Sequence, residues 1–296
     1  MVTSTIACAS TRTFLRPVVL PAHNRYRGLP DVRSVARALC SPAGLHRRPW
    51  LERLRHALAE DLFVLHYQPI VSLADGRVSH YEALVRLADE RDGRLVAPGS
   101  FLPAAERYGL IRDVDRMVID KVAALLGRRH DEQDVSIAVN LSALSVTDAG
   151  MLQHIQRALA LHGADPARLV VELTETAAIS DMQRAAAFCA GVQALGCAIS
   201  LDDFGAGFGS FQYLKRLPFR YLKIDGDFIR GLPASPTDQL VVKALVGVVE
   251  GMGGQTIAEF VGDEPTMRLL RSYGVDFAQG FEVGRPHPVV PLVATG

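Results

Sequence analysis

Hydrophobic and polar positions alternate in two rhythms along this chain. The segments "FVLHYQPIV", "SHYEALVRL", "VSIAVNLS", "LVVELTE", "CAISLDDF", "YLKIDG", "QTIAEFV" and "FAQGF" are short, apolar and rich in β-branched and aromatic residues, which predicts strands. Between them apolar residues recur every three or four positions, which predicts helices over 101–127, 149–163, 181–196, 235–252 and 264–274. A further amphipathic helix, "PWLERLRHALAED", precedes the first strand. Strands alternating with crossover helices imply a mostly parallel sheet. Eight strands on one chain favour closure, so the predicted fold is α/β, a modified TIM (β/α)8 barrel, for which roughly 250 residues is usual. The modification lies at the start. Only a short turn around Asp75-Gly76 separates the first two strands, so they should pair antiparallel.

Polar residues fall where such a barrel keeps its chemistry, at the carboxyl ends of strands. "VSIAVNLS" ends on Asn140, "LVVELTE" on Glu172 and Glu175, and "CAISLDDF" on Asp202 and Asp203. "YLKIDG" offers Lys223 and Asp225, "QTIAEFV" offers Glu259, and "FAQGF" offers Gln279. One such residue reads as a helix cap or a surface group. Six strands bearing them at one end read as a site. Strand parity places Glu82, Leu84 and Arg86 on one face and allows only one of Glu172 and Glu175 to point inward; Glu172 is assigned there. Asp202 and Asp203 have opposite parity and can share a centre only if the strand breaks between them, a break that Gly205 and Gly207 make easy. For Asn140 and Gln279, backbone hydrogen bonding competes with a site role, and Asp225 reads equally as a site residue or an ion-pair partner.

Charge sharpens this picture. Glu82, Glu172, Asp202, Asp203 and Glu259 against the single ammonium of Lys223 leave about −4 in one barrel mouth, which needs compensation. Two divalent cations would supply it, and hard oxygen donors favour Mg²⁺ or Mn²⁺. The chain of 296 residues is formally neutral, but eight arginines and one acid give residues 1–48 a charge of +7. Those residues mix Pro, Arg, Ser and Gly without clear periodicity and read as a poorly ordered basic extension, with "PDVRSVARAL" as a short helix, leaving 49–296 as the barrel. The acidic remainder suits a site that gathers cations, and ordinary surface composition explains it equally well.

Other features exclude functions. Cys8, Cys40, Cys189 and Cys197 have neither zinc-finger nor disulfide spacing, so reduced thiols are expected. No apolar run reaches the ~18–20 residues that span a bilayer, and no secretory signal is evident, so the expectation is a cytoplasmic protein without membrane insertion. Zero net charge gives no hint of a nucleic acid polymer. "GAGFG" lacks the dinucleotide-binding spacing, and His130-Asp131 stands in a charged loop without supporting histidines.

Taken in order, "YQPIV", Glu82-Ala83-Leu84 within "EALVR", "VNLS", "ELTE", "DDFGAGFGS", "LKIDG", "AEFV" and "QGFEVGRP" resemble the blocks of the EAL-domain family, the cyclic-di-GMP phosphodiesterases. The resemblance implies a barrel with one antiparallel strand and hydrolysis of cyclic-di-GMP to linear pGpG by a two-metal mechanism. It implies that Glu82, Asn140, Glu172 and Asp202 ligate one metal, and that Asp202 bridges to a second held by Asp203 and Glu259. By the same resemblance Lys223 contacts the attacking water, Gln279 orients the assembly and Glu175 anchors the glycine-rich loop. Arg86 is similar to an arginine that grips a substrate phosphate, Leu84 lines the pocket, and Gln68 touches a guanine. Whether Lys223, Glu259 or the metals take the water's proton is open. The chain departs from the frequent "AEGVE" in reading "AEFVG" over 258–262, so Gly262 replaces a second glutamate; Ala206, Phe208 and Gly209 are milder changes. A homodimer is expected from the family, without a recognisable cyclase or sensory module. The rival reading is a catalytically silent barrel that binds the nucleotide and signals through a partner.

Overall fold

The structure is a computed structural model and describes residues 50–290 apart from 90–91, 129–134, 175–176, 179–180 and 206–213. The basic extension, Cys8, Cys40, His130-Asp131, Glu175 and most of the glycine-rich loop therefore lie outside the described residues. A helix α1 (Trp50–Ala59) leads into the hairpin β1 (Phe63–Ser72) and β2 (Val78–Ala88). Its turn is closed by Gly76 at φ 73° and by Asp75, whose carboxylate accepts the Arg77 N–H at 3.1 Å. Then come β3 (Leu95–Val96), α2 (Pro98–Arg107), α3 (Ile111–Arg128), β4 (Ser136–Leu141), α4 (Ala143–Val146) and α5 (Met151–His162). The remainder runs β5 (Leu169–Thr174), α6 (Met182–Ala194), β6 (Ala198–Phe204), β7 (Tyr221–Ile224) and α7 (Gly226–Ile229). It ends with α8 (Pro236–Gly251), β8 (Gln255–Ala258), α9 (Glu264–Tyr273) and β9 (Phe277–Gln279).

Eight of these strands close into a ring in the order β1-β9-β8-β7-β6-β5-β4-β2, with β2 pairing back to β1. Every pairing from β2 round to β9 is parallel, whereas β1 is antiparallel to both of its neighbours. The expected barrel with one reversed strand is what forms. Strand β3, two residues long, adds an antiparallel edge to β2 and has no counterpart in the sequence reading. The helix expected over 101–127 is two helices, because Gly109 at φ 71° takes the left-handed conformation that ends α2.

The barrel divides its apolar residues into two cores. Ile70, Ala138, Val170, Tyr221, Ile257 and Phe277 fill the interior, and a much larger cluster packs the outer face of the strands against the helices. The same inward parity, carried two residues further along each strand, puts Glu82, Asn140, Glu172, Asp202, Lys223, Glu259 and Gln279 in the layer above the interior core. No helix among the described residues is long and apolar enough to cross a membrane.

Candidate active site

Lys223, at the end of β7, is 1% exposed and stands at the centre of that layer. Its Nζ lies 2.8 Å from Glu259, 3.1 Å from Asp202, 3.3 Å from Glu172 and 3.4 Å from Glu82. Burial opposes the ammonium charge, but the surrounding Asp202, Glu172, Glu259 and Glu82 outweigh it and hold the lysine well above its ordinary pKa. In this arrangement Lys223 keeps its proton.

The acids do not share that one charge equally. Glu82 accepts 2.6 Å hydrogen bonds from Asn140 Nδ2 and from Gln279 Nε2. Burial would raise its pKa, yet Lys223 and these two amides keep it lowered, so Glu82 is ionised. Glu172 is fully buried, and its Oε1 has no hydrogen-bond partner among the described residues. Burial, with Glu82, Asp202 and Glu259 adding like charge, pushes Glu172 well up despite Lys223. Glu259 is pushed to about 8, first by burial and then by Asp202 and Glu82 against the pull of Lys223. Asp203 is raised by burial and by Asp202.

The adjacent aspartates reach one centre by a local break that begins at Asp203 and includes Gly205 at φ 101°. Asp203 itself adopts φ 56°, its N–H donates to Asp202 Oδ1 at 3.0 Å, and the β6–β7 register shifts between Leu201 and Phe204. This left-handed residue turns its carboxylate to the same side as Asp202. Each of Asp202, Asp203 and Glu259 offers one oxygen within 4.8 Å of the others, a spacing that can hold a metal ion.

A cavity of about 370 Å³ opens above the layer, lined by Gln68, Leu84, Phe260, Gly280 and Phe281 as well as by Glu82, Asp202, Asp203, Glu259 and Lys223. Gln68 is fixed there by donating to Gly284 O at 3.1 Å and accepting from Gln279 at 3.4 Å. A larger, mostly apolar cavity of about 660 Å³ lies between β2, β4, α2 and α3; Asn140 lines it, and Leu84 lines both. Arg86 shares the strand face of Glu82 and Leu84 but lines neither cavity; one guanidinium N–H donates to Val85 O at 2.9 Å. Asp225 likewise lines neither. The strand stops at Ile224, and Asp225 caps α7 by accepting the Asp227 N–H at 2.7 Å; it makes no ion pair among the described residues.

Two aromatic rings at the mouth escape the sequence reading. Phe260 and Phe281 line the cavity with 54% and 63% of their surface exposed. The only signal for Phe260 is the departure that puts a bulky residue after Glu259 where glycine is frequent.

Residues 51–286 match the family model described as EAL domain. The cyclic di-GMP phosphodiesterase PdeB of Shewanella oneidensis is 36% identical over 241 residues, covering 81% of this chain and 28% of that protein. The bifunctional diguanylate cyclase/cyclic di-GMP phosphodiesterase MucR of Pseudomonas aeruginosa is 38% identical over 247 residues, covering 83% of this chain and 36% of that protein. The chain thus spans about a third of the length of these curated relatives. Among solved structures, the P. aeruginosa MucR phosphodiesterase in complex with c-di-GMP aligns with TM-score 0.76 at 38% identity, over 81% of this chain and 98% of that one. The P. aeruginosa FimX EAL domain bound to c-di-GMP aligns with TM-score 0.78 at 29% identity, over 83% and 99%.

Proposed function

This chain belongs to the EAL domain family, and from that premise we propose that it hydrolyses cyclic di-GMP to linear pGpG with the help of two divalent cations, Mg²⁺ or Mn²⁺. The observation that carries the reading is the acidic layer: four carboxylates around one ammonium and Asp203 beside them, with a buried oxygen of Glu172 unpartnered among the described residues. Relatives named as cyclic di-GMP phosphodiesterases at 36% and 38% identity support the substrate class.

The residues fit such ions. All the donors are oxygens, the chemistry hard divalent cations prefer. Glu82, Glu172, Asp202 and the carbonyl oxygen of Asn140 would hold one ion, and Asp202, Asp203 and Glu259 the other. Bound there, the pair would make a water nucleophilic near neutral pH and stabilise charge on the transferring phosphoryl group. The chain's own groups do the rest. Lys223 contacts the attacking water and fixes its direction. Gln279 and Asn140 lock the orientation of Glu82 with two short hydrogen bonds. Leu84 stands between the two cavities, and a ligand built of two nucleoside halves matches that pair of spaces. Arg86 and Gln68 complete the grip on phosphate and base, and Glu175 anchors the glycine-rich loop. The working unit is residues 49–296, acting in the cytoplasm as a homodimer.

Incubation of the purified protein with cyclic di-GMP and Mg²⁺, Mn²⁺ or Ca²⁺ in turn, followed by chromatography for pGpG, tests the proposal. Product should form with Mg²⁺ or Mn²⁺ and vanish with a chelator. Tight binding with no pGpG under any ion would instead establish the silent receptor.

A further inference from the structure

We propose that Phe260 is a stacking platform for one base of the substrate, and so sets how tightly this site holds a nucleotide. The proposal rests on the cyclic dinucleotide reading above and deepens it.

Phe260 is held where a phenylalanine is doubly disfavoured. The Glu259 N–H donates to Ile224 O at 3.2 Å, and the Val261 N–H donates to Gln279 O at 2.9 Å. Both flanking residues are thereby fastened to neighbouring strands, and the residue between them must turn sharply, at φ 52°. Glycine enters that region freely, whereas bulky side chains are rare there. The ring gains little in return, since 54% of the residue stays exposed. Non-glycine residues kept in such a conformation cluster at functional sites, where the surroundings over-determine them.

The ring is nonetheless firmly placed. Gly226, at the start of α7, and Arg230, just past its end, both meet it. A Cβ on Gly226 would come 2.3 Å from the ring's Cδ2, so only glycine permits this approach. The Arg230 guanidinium carbon stands 4.2 Å from the ring centroid, and the same side chain pairs with Asp227 at 2.6 Å. The ring lines the cavity that also holds Glu82, Asp202, Lys223 and Glu259. A rigid, exposed π-face beside a phosphodiester-cleaving centre has one chemical use, to stack a planar base, and stacking of this kind tolerates any base.

The test separates affinity from chemistry. KM and kcat are measured with Mg²⁺ and cyclic di-GMP, and equilibrium titration with pGpG gives an affinity that needs no turnover. Phe260→Leu, which keeps the apolar bulk but removes the π-face, should raise KM and the pGpG Kd about 10- to 100-fold and leave kcat and the melting temperature essentially unchanged. Phe260→Tyr should restore both affinities. A Leu variant that binds within about twofold of the parent, or that loses kcat and not affinity, overturns the proposal. A parent protein that neither cleaves nor binds cyclic di-GMP removes the underlying reading, and that outcome is visible without any variant.

Discussion

Glu82 shows how a single side chain can be both buried and charged. Two amides at 2.6 Å and one ammonium at 3.4 Å satisfy it, so it keeps its charge while Glu172, with one oxygen unpartnered among the described residues, is pushed toward its neutral form. Glu82→Gln keeps the shape and removes the charge. Mn²⁺ affinity, read by electron paramagnetic resonance, and turnover should both fall by about 100-fold or more, since even outer partners of metal ligands are worth 10–100-fold. Unchanged Mn²⁺ binding in this variant would remove Glu82 from the ligand set. Glu82, Glu172 and Lys223 were readable in the sequence because a charged residue on the inward parity of an apolar strand has no bland place to go. Phe260 was not, because an aromatic beside a strand reads as core; only the tertiary fastening of its neighbours turns it outward.

Among the elements, β6 ends in a left-handed turn. The sequence argument required a break between Asp202 and Asp203, eased by the following glycines; Gly205 does take φ 101°, and Gly207 lies outside the described residues. A positive φ also belongs to Asp203, an exposed residue whose carboxylate faces Asp202. Asp203→Gly should therefore raise the stability of the metal-free protein in urea by about 1 kcal/mol, the usual scale of left-handed strain, while weakening metal binding. Loss of stability would mean that the strained conformation is not disfavoured here. Other differences have equally local causes. Apolar periodicity continues across Tyr108-Gly109 and hides the break between α2 and α3. A strand as short as β3 has no alternation to detect. Asp225 shares parity with Lys223, but parity ceases to mean anything once β7 ends at Ile224 and the backbone enters α7.

For the whole molecule, the layered interior sets how stability depends on pH. His80, in the inner layer beneath Glu82, is buried against Tyr221 and Phe277; its Nε2 has no hydrogen-bond partner among the described residues. Burial, with Lys223 adding, depresses its pKa to about 4. The unfolded chain takes up that proton first, so this residue's contribution is lost as pH falls from about 6.5 toward 4. Glu259 works in the opposite sense. With its folded pKa raised to about 8, the folded state binds the proton more tightly, and stability declines as pH rises toward and through that value. Between about pH 6.5 and 8, above the window of His80, the melting temperature of chelator-treated protein should fall, and saturating Mg²⁺ should abolish the decline. A flat profile without metal would show that the acids are compensated some other way. The overall barrel was readable because eight short apolar strands alternate with amphipathic helices, and its reversed strand because a hairpin turn leaves no room for a helix.

That reversed strand has a temporal consequence. The ring is sealed where β1 meets β9, and β9 delivers the Gln279 amide to a glutamate 197 positions earlier in the chain. A chain still emerging from the ribosome, or one clipped ahead of Phe277, lacks both the seal and that donor. On the proposed function, competence for hydrolysis therefore arrives with the final strand, and a truncated copy should be inert.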